Sequence, residues 1–460
     1  MMKTNWSGTR VLILGAARQG LALARWLSVH GARVTLSDMR SEADVCVARE
    51  SLAEYPMTWA LGGHPLELLD STDVLCLSGG VPLTLPIVVE AVKRGIPLSN
   101  DSQIFMEVVP CKTIGITGSA GKTTTTALAG NMAKMAYGDK AYVGGNIGDP
   151  LINYVDNMKA DDVAILELSS FQLDQMTISP TIAAVLNITP NHLDRHGTME
   201  SYTAAKRRIL EFQTDQDVAI LGRDDKGAWR LRDNVRGKLY AFSLHELEEA
   251  LDGTYLQDDL LTVRDRNQHQ PLIRREKITL RGDHNLRNVL AAFTIGHAAG
   301  FPLTAMREAV ETFHGVPHRL ELVRELRGVR WYNDSIATAP ERSMAAIRAF
   351  EEPIVLLLGG RDKNLPWEEL MQLARERVAH LVLFGEAAEK IEKAAQALGL
   401  RENGSRITRV NGLQDAILKA AELAASGDVV LLSPGGTSFD EFNDFAERGE
   451  RFKEWVRELS

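Results

Sequence analysis

The chain predicts an α/β fold built from stacked strand-and-helix units with mainly parallel sheets. Three observations carry that expectation. Short apolar strands alternate with amphipathic helices along most of the length, glycine turns follow several strands, and no internal repeat or low-complexity segment breaks the pattern. With 460 residues, 45% of them hydrophobic, the chain is long enough for about three domains with sizeable cores.

Val11-Leu-Ile-Leu14 reads as the first strand, leading through Gly15-Ala-Ala-Arg-Gln-Gly20 into a helix that runs to His30 and stops at Gly31. Arg33-Val-Thr-Leu-Ser37 is the next strand and ends at Asp38, and Val74–Leu77 is a later one, followed by Leu77-Ser-Gly-Gly-Val81. This first block looks like a nucleotide-binding half-fold. Its glycine loop departs from G-x-G-x-x-G, because Ala17 holds the middle position, where a missing side chain would admit a pyrophosphate. Asp38, with Met39 and Arg40 beside it, remains a candidate for ribose or sugar hydroxyls. The Ser78 and Gly80 amides are candidates for phosphate, and two such loops suggest a nucleotide-linked small molecule.

A second block opens at Ile114-Gly-Ile-Thr-Gly-Ser-Ala-Gly-Lys-Thr-Thr124, where an apolar strand runs into a glycine loop, a lysine and two hydroxyls. Gly118 and Gly121 let backbone N–H groups converge on phosphate oxygens, Lys122 offers charge to the outer phosphates, and the Thr123 hydroxyl suits magnesium. The spacing is G-x-x-G-K-T, with Ile116 where the eight-residue pattern has its first glycine. A helix follows from about Thr123 to Lys134, then strands at Val163–Leu168 and Ala183–Ile188, and an alanine-rich helix at Leu286–Ala299 ended by Gly300 and Pro302. Glu167 sits in an apolar strand, where a carboxylate is costly without a cation, and is the first choice of metal ligand. His192 falls on a loop at the same sheet edge, as a second ligand or a proton carrier. By spacing alone Lys206, Arg207 and Arg208 form an ordinary solvated helix face. The polar stretch 222–275 gives no clear elements.

After His314-Gly-Val-Pro-His-Arg319 the alternation restarts, with strands near Val329–Asn333, Ile354–Leu358, Leu381–Phe384 and Val429–Leu432. Domains are therefore expected over 1–100, 101–315 and 316–460. The net charge of −9 and the lack of a Lys/Arg run exclude an ordinary nucleic-acid binder. No stretch of about 18 apolar residues and no secretory h-region occur, so a cytoplasmic, non-membrane protein is expected. Cys46, Cys76 and Cys111 lack metal spacing and read as buried small hydrophobes of a reducing compartment.

Gly118-Ser-Ala-Gly-Lys-Thr-Thr124, Gly144-Gly-Asn-Ile-Gly148, Leu166-Glu-Leu-Ser-Ser170, Asn191-His-Leu-Asp194, Ala205-Lys206 and His284-Asn-Leu-Arg-Asn288 occur in one order, and together resemble the Mur ligase family over essentially the whole chain. The likeness is nearest to its D-glutamate-adding members. It implies a Rossmann-like UDP-binding domain, a central P-loop ATPase domain and a Rossmann-like carboxy-terminal domain in a monomer. The implied substrates are ATP, UDP-N-acetylmuramoyl-L-alanine and D-glutamate, joined through an acyl phosphate. Two Mg2+ ions would be held by Thr123, Glu167, His192 and a carbamylated Lys206, which overturns the solvated-face reading of that lysine.

By the same resemblance ATP would meet Gly118, Ser119, Ala120, Gly121, Lys122, Thr123, Thr124, Asn285, Asn288, Arg319 and Asp334. The UDP acceptor would meet Arg18, Gln19, Asp38, Met39, Arg40, Ser78, Gly80, Asn146 and His192, and glutamate would meet Thr338, Lys363, Ser438, Phe439 and Phe445. Hinge closure is expected around 314–320. Three departures stand out: Ala120 replaces a polar P-loop residue, Ile336 replaces a lysine common in Asn333-Asp-Ser-Ile-Ala-Thr338, and Gly435-Gly436 replace bulkier residues. The last two bear on glutamate stereochemistry and leave an L-glutamate-adding ligase open. A nicotinamide dehydrogenase would leave the P-loop, Glu167 and His192 without a task, and a P-loop ATPase switch would show no glutamate dependence. A folylpolyglutamate synthase-like ligase would lack the first half-fold.

Overall fold

Apolar β-branched runs closed by glycine turns place five strands side by side at the start of the chain: β1 (Arg10–Leu14), β2 (Arg33–Asp38), β3 (Met57–Leu61), β4 (Val74–Leu77) and β5 (Leu98–Ser99). The computed structural model describes residues 5–363, 365–399 and 407–460. The first sheet is wholly parallel in the order β3-β2-β1-β4-β5, so consecutive connections leave β1 on one side and β4 on the other. That reversal opens a crevice at the carboxyl edge, where such sheets hold ligands. Gly20 is needed for the tight entry into helix Arg18–Val29, since a Cβ there would lie 2.0 Å from the Gly15 carbonyl oxygen.

The second sheet is built from β6 (Lys112–Thr117), β7 (Ala141–Gly145), β8 (Val163–Glu167), β9 (Ile182–Val185), β10 (Val218–Gly222), β11 (Lys238–Ser243), β12 (Asp252–Gln257), β13 (Leu260–Asp265) and β14 (Gln268–Arg274). Its order is β14-β13-β12-β11-β10-β9-β6-β8-β7, with β12 to β14 antiparallel and the rest parallel. Thus the unassigned stretch 222–275 extends this sheet through two hairpins. Helix Lys122–Tyr137 packs against helix Asp283–Ala299.

Both sheets belong to one compact unit, which comprises residues up to Thr279 together with Asp283–Phe313. Leu23, Trp26 and Leu27 share one apolar cluster with Leu151, Ile152 and Val155. Arg25 Nη2 donates to Asn153 Oδ1 at 2.6 Å and Trp26 Nε1 to Asp156 Oδ1 at 3.1 Å, which sets the first sheet against the second.

The other unit, Leu280–Gly282 with His314–Ser460, holds the third sheet. Its strands are β15 (Glu321–Leu326), β16 (Val329–Asn333), β17 (Ile354–Gly359), β18 (Val378–Phe384), β19 (Ile407–Arg409) and β20 (Val429–Gly435), in the order β15-β16-β20-β17-β18-β19. Only the β15–β16 pairing is antiparallel among these described strands. Apolar clusters cover both faces, one around Leu356, Trp367 and Leu383, the other around Trp331, Leu432 and Phe452.

The cysteine expectation needs correction. Cys76 is buried in β4, but Cys111 is half-buried and Cys46 exposed, lining a cavity of about 530 Å³ with Tyr55, Met57 and Trp59. No helix among the described residues is long and apolar enough to cross a membrane.

Candidate active site

The loop after β6 turns into helix Lys122–Tyr137 through Gly121, whose φ is 83° and where a Cβ would come within 2.2 Å of Asn288 Oδ1. Only glycine satisfies both conditions. No side chain caps this helix, so its first-turn N–H groups, around Lys122, Thr123 and Thr124, lack intrahelical acceptors and carry the positive end of the helix. The neighbouring loop amides are used otherwise. Ser119 N–H donates to the Asn187 carbonyl at 2.9 Å and Ala120 N–H to Asn187 Oδ1 at 2.8 Å, while Asn187 Nδ2 returns a bond to Ala120 O at 3.0 Å. Asn187 therefore braces the loop from the end of β9, and the anion-facing amides shift from Ser119 and Ala120 toward the helix start.

Two lysines converge on one carbonyl: Lys122 Nζ and Lys206 Nζ each donate to Gly118 O at 2.9 Å, and Lys206 also reaches Thr117 Oγ1 at 3.3 Å. Lys206 projects from helix Met199–Glu211 and is 1% exposed, not part of a solvated face; Arg207 beside it is exposed and Arg208 half-buried. Burial, and then the neighbouring Lys122 charge, pushes the Lys206 pKa well below its ordinary value, with Glu167 opposing. Burial therefore favours the uncharged form of this amine.

Glu167, the last residue of β8, is buried, with Oε1 accepting from Asn146 Nδ2 at 2.8 Å and Oε2 buried without a partner. A carboxylate oxygen left in that state calls for a cation. Asn146 is placed by its own N–H, which donates to the Glu167 carbonyl at 2.9 Å. Gly145 makes this approach possible, having φ 96° and a Cβ position only 2.5 Å from Glu167 O. Gln19 Nε2 meets Gly145 O at 3.4 Å, so the first sheet's glycine loop reaches the same region.

His192 is exposed and left-handed at φ 52°, its ring edge-on to Phe171 at 5.4 Å. His196 stacks on Phe171 at 5.0 Å, and its Nε2 is 2.9 Å from Ser170 Oγ, docking the His192 loop on the segment that follows Glu167. No cluster of three or more His, Cys, Asp or Glu fit for a metal occurs among the described residues, so a cation here would need a mixed donor set. Asn288 Nδ2 donates to Asn285 Oδ1 at 3.2 Å and sits beside Thr125, behind the phosphate loop.

In the first sheet, Asp38 closes β2 with both oxygens engaged. Oδ2 accepts from Ala16 N–H at 2.7 Å and Arg40 Nη2 at 2.9 Å, and Oδ1 accepts from Arg40 N–H and Nε, both at 2.9 Å. The Arg40 bonds hold its carboxyl well below the usual carboxylate range. Asp38 thus fixes the glycine loop. Ser78 N–H, expected to face phosphate, instead donates to Leu14 O at 3.0 Å, and its hydroxyl to Gly15 O at 2.9 Å. Arg18, Met39 and Gly80 are exposed at the same carboxyl edge.

The second unit gathers the remaining candidates at the carboxyl ends of β16, β17 and β20. Asp334 is buried and accepts from Leu320 N–H at 3.2 Å and Ser433 Oγ at 2.8 Å, and burial raises its pKa to about 7. Arg319 lies between two left-handed residues, His318 (φ 63°) and Leu320 (φ 43°). Lys363 Nζ lies 3.5 Å from Thr338 Oγ1. Ser438 is buried, whereas Phe439 is 59% exposed and Phe445 is at the surface, so the aromatic wall is open. Arg448 was missed by sequence reading. Fully buried, it donates to Ser335 O at 2.9 Å and Gly436 O at 3.1 Å, tying together the two loops that carry Thr338 and Ser438.

Family models match in chain order: the Mur ligase MurD-like N-terminal domain over residues 9–100, the Mur ligase middle domain over 116–296, and the Mur ligase glutamate ligase domain over 318–436. A UDP-N-acetylmuramoylalanine–D-glutamate ligase of Symbiobacterium thermophilum is 40% identical, with 98% of each chain covered. One of Koribacter versatilis is 39% identical at the same coverage. Among solved structures, UDP-N-acetylmuramate-alanine ligase MurC from Thermotoga maritima gives a TM-score of 0.56 at 19% identity, covering 98% of this chain and 99% of its own. MurF from Acinetobacter baumannii gives 0.56 at 17%, covering 99% and 92%; both show likeness of fold alone. With identity of this level running through all three sheets and the phosphate loop, the chain belongs to the Mur ligase family.

Proposed function

We propose that this chain joins D-glutamate to the terminal L-alanine carboxylate of UDP-N-acetylmuramoyl-L-alanine, converting ATP to ADP and phosphate, in cytoplasmic peptidoglycan-precursor synthesis. The observation that carries the reading is one sheet edge holding a phosphate loop, a buried Lys206 on the loop's Gly118 carbonyl and a buried Glu167 oxygen without a hydrogen-bond partner. Full-length relatives named for this reaction support it.

A carboxylate is a poor electrophile, so it is first activated. The alanine carboxylate attacks the γ-phosphorus of ATP, ADP leaves, and an acyl phosphate forms. The glutamate amine then attacks the acyl carbon, loses a proton and expels phosphate, and His192 is assigned to accept that proton. Lys122 and the first-turn amides of its helix hold the phosphates. Glu167, Thr123 and His192 are the residues that would hold Mg2+, and its chemistry is neutralisation of the crowded phosphate oxygens. The Glu167 oxygen fits that task. Burial shifts Lys206 toward the neutral amine, the form that adds carbon dioxide, and the resulting carbamate would complete a two-ion donor set.

The acceptor is assigned to the first sheet's edge with Arg18, Gln19, Asp38, Met39, Arg40, Ser78 and Gly80, and its acyl end to Asn146 and His192. Asn285, Asn288, Arg319 and Asp334 are assigned to the nucleotide, and Thr338, Lys363, Ser438, Phe439 and Phe445 to glutamate. Domains over 1–100, 101–315 and 316–460 and a monomeric state complete the proposal. The test is phosphate release with each substrate omitted in turn. Release should need ATP, magnesium, acceptor and glutamate together, and release without acceptor or glutamate would return the chain to the ATPase reading.

A further inference from the structure

A hydroxyl at the centre of a sheet is costly unless its proton and a lone pair are both used. Thr117, the last residue of β6, is fully buried, and the chain leaves the sheet directly after it, at Gly118. The pairing with β8 accordingly stops at Leu168 N–H, which donates to Ile116 O at 2.9 Å. The Leu168 carbonyl, one residue beyond Glu167, is then met by the Thr117 hydroxyl at 2.8 Å in place of a backbone N–H.

A carbonyl can only accept, so the single Thr117 proton goes to Leu168 O, and the hydroxyl oxygen faces Lys206 Nζ at 3.3 Å as an acceptor. The other acceptor of Lys206, Gly118 O, is shared with Lys122. Among the described residues, Thr117 Oγ1 is the acceptor that Lys206 has to itself. Farther along, Arg208 Nε donates to Leu173 O and Met176 O, both at 3.1 Å. Helix Met199–Glu211 thus grips the segment after Glu167 at two places, at Leu168 through Lys206 and Thr117, and at residues 173–176 through Arg208.

We propose that Thr117 is a positioning residue for the ligation, its hydroxyl fixing the Lys206 side chain relative to the strand end that carries Glu167. The inference rests on the reading that both side chains serve the phosphate-bearing edge. Valine has the same shape without the hydroxyl, and beside it Lys206 would be left to compete with Lys122 for Gly118 O. A displacement of about 1 Å at such a site costs up to about 100-fold in rate. Serine keeps the hydroxyl and the acceptor.

Two measurements test this. In the ligand-free full-length protein, urea unfolding of Thr117→Val, Lys206→Met and the double variant forms a cycle. Thr117→Val should cost about fivefold more in the unfolding constant with Lys206 present than in the Lys206→Met background, and equal costs would overturn the link. In phosphate release, Thr117→Val should lower kcat about tenfold or more with the ATP and glutamate KM values within about twofold, and Thr117→Ser should recover most of the loss. A folded Thr117→Val with unchanged kcat, or a Thr117→Ser as slow as the valine variant, would overturn the positioning role. If valine prevents folding, Thr117→Ser against Thr117→Ala makes the same comparison of hydroxyl with none. A wild type that releases no phosphate with every substrate present would fail the proposed ligation and this role with it, and the unfolding cycle separates that failure from loss of the contact.

Discussion

Replacing Lys206 by methionine isolates one ionisation. The amine is buried against Gly118 O and Thr117 Oγ1, and burial and Lys122 drive its pKa well below the ordinary lysine value. In the unfolded chain the same group titrates near 10.4. Below that value the unfolded state binds one proton more than the native state, so stability rises with pH by about 1.4 kcal/mol per unit, from the depressed native pKa up to the unfolded one. Methionine has similar length and no proton, and every other titration cancels in the comparison. Over the alkaline range between the native and unfolded values, the unfolding free energy of the wild type should therefore gain about 1.4 kcal/mol per pH unit on that of Lys206→Met. Urea unfolding followed by tryptophan fluorescence, in buffers freed of carbon dioxide so that no carbamate forms, reads the difference. A gap constant to within about 0.5 kcal/mol would show that Lys206 keeps its proton in the fold, and the neutral amine would be lost from the account.

Glu167→Gln removes a buried charge with an unpartnered oxygen; magnesium-dependent phosphate release should fall at least about 100-fold while the ligand-free protein melts no lower than the wild type. A loss of stability with activity retained would make Glu167 structural. Lys363→Ala should raise the glutamate KM by about tenfold or more and leave the ATP KM unchanged, and an unaltered glutamate KM would remove the carboxylate anchor. Burial raises the Asp101 carboxyl to about pKa 6, and its Oδ1 lacks a partner. Its charged form thus costs stability once pH exceeds the unfolded value near 3.9, with the full cost above about 6. Asp101→Asn should match the wild type near pH 4 and exceed it by on the order of 2 kcal/mol at pH 8, and a pH-independent difference in thermal unfolding would contradict this.

The residues differ in how openly the sequence declares them. Gly121-Lys-Thr-Thr124 could be read because its chemistry is contiguous: glycine, cation and hydroxyls follow one strand. Glu167 could be read because a carboxylate interrupts an apolar strand. Lys206 could not be read from spacing, since Lys-Arg-Arg on a helix is the pattern of a wet face; its burial depends on elements brought up from the loop after β6 and from β8. Asn187 and Arg448 were silent for the same reason, each bracing a loop far away in sequence. The hairpins within 222–275 were hidden by their turns: Asp258 adopts a φ of 51° in one, and Arg266 and Asn267 adopt 49° and 62° in the other, without the glycine that normally signals a turn. Backbone needs also came first at Ser78, whose N–H continues the strand pairing.

The most direct measurement is product mass after incubation with ATP, magnesium and UDP-N-acetylmuramoyl-L-alanine, with D-glutamate and L-glutamate compared. The account predicts a mass gain of one glutamyl residue, matched by phosphate released, with D-glutamate alone, despite Ile336. A gain with L-glutamate only would contradict the assigned stereochemistry, and no gain with either would contradict the ligase itself.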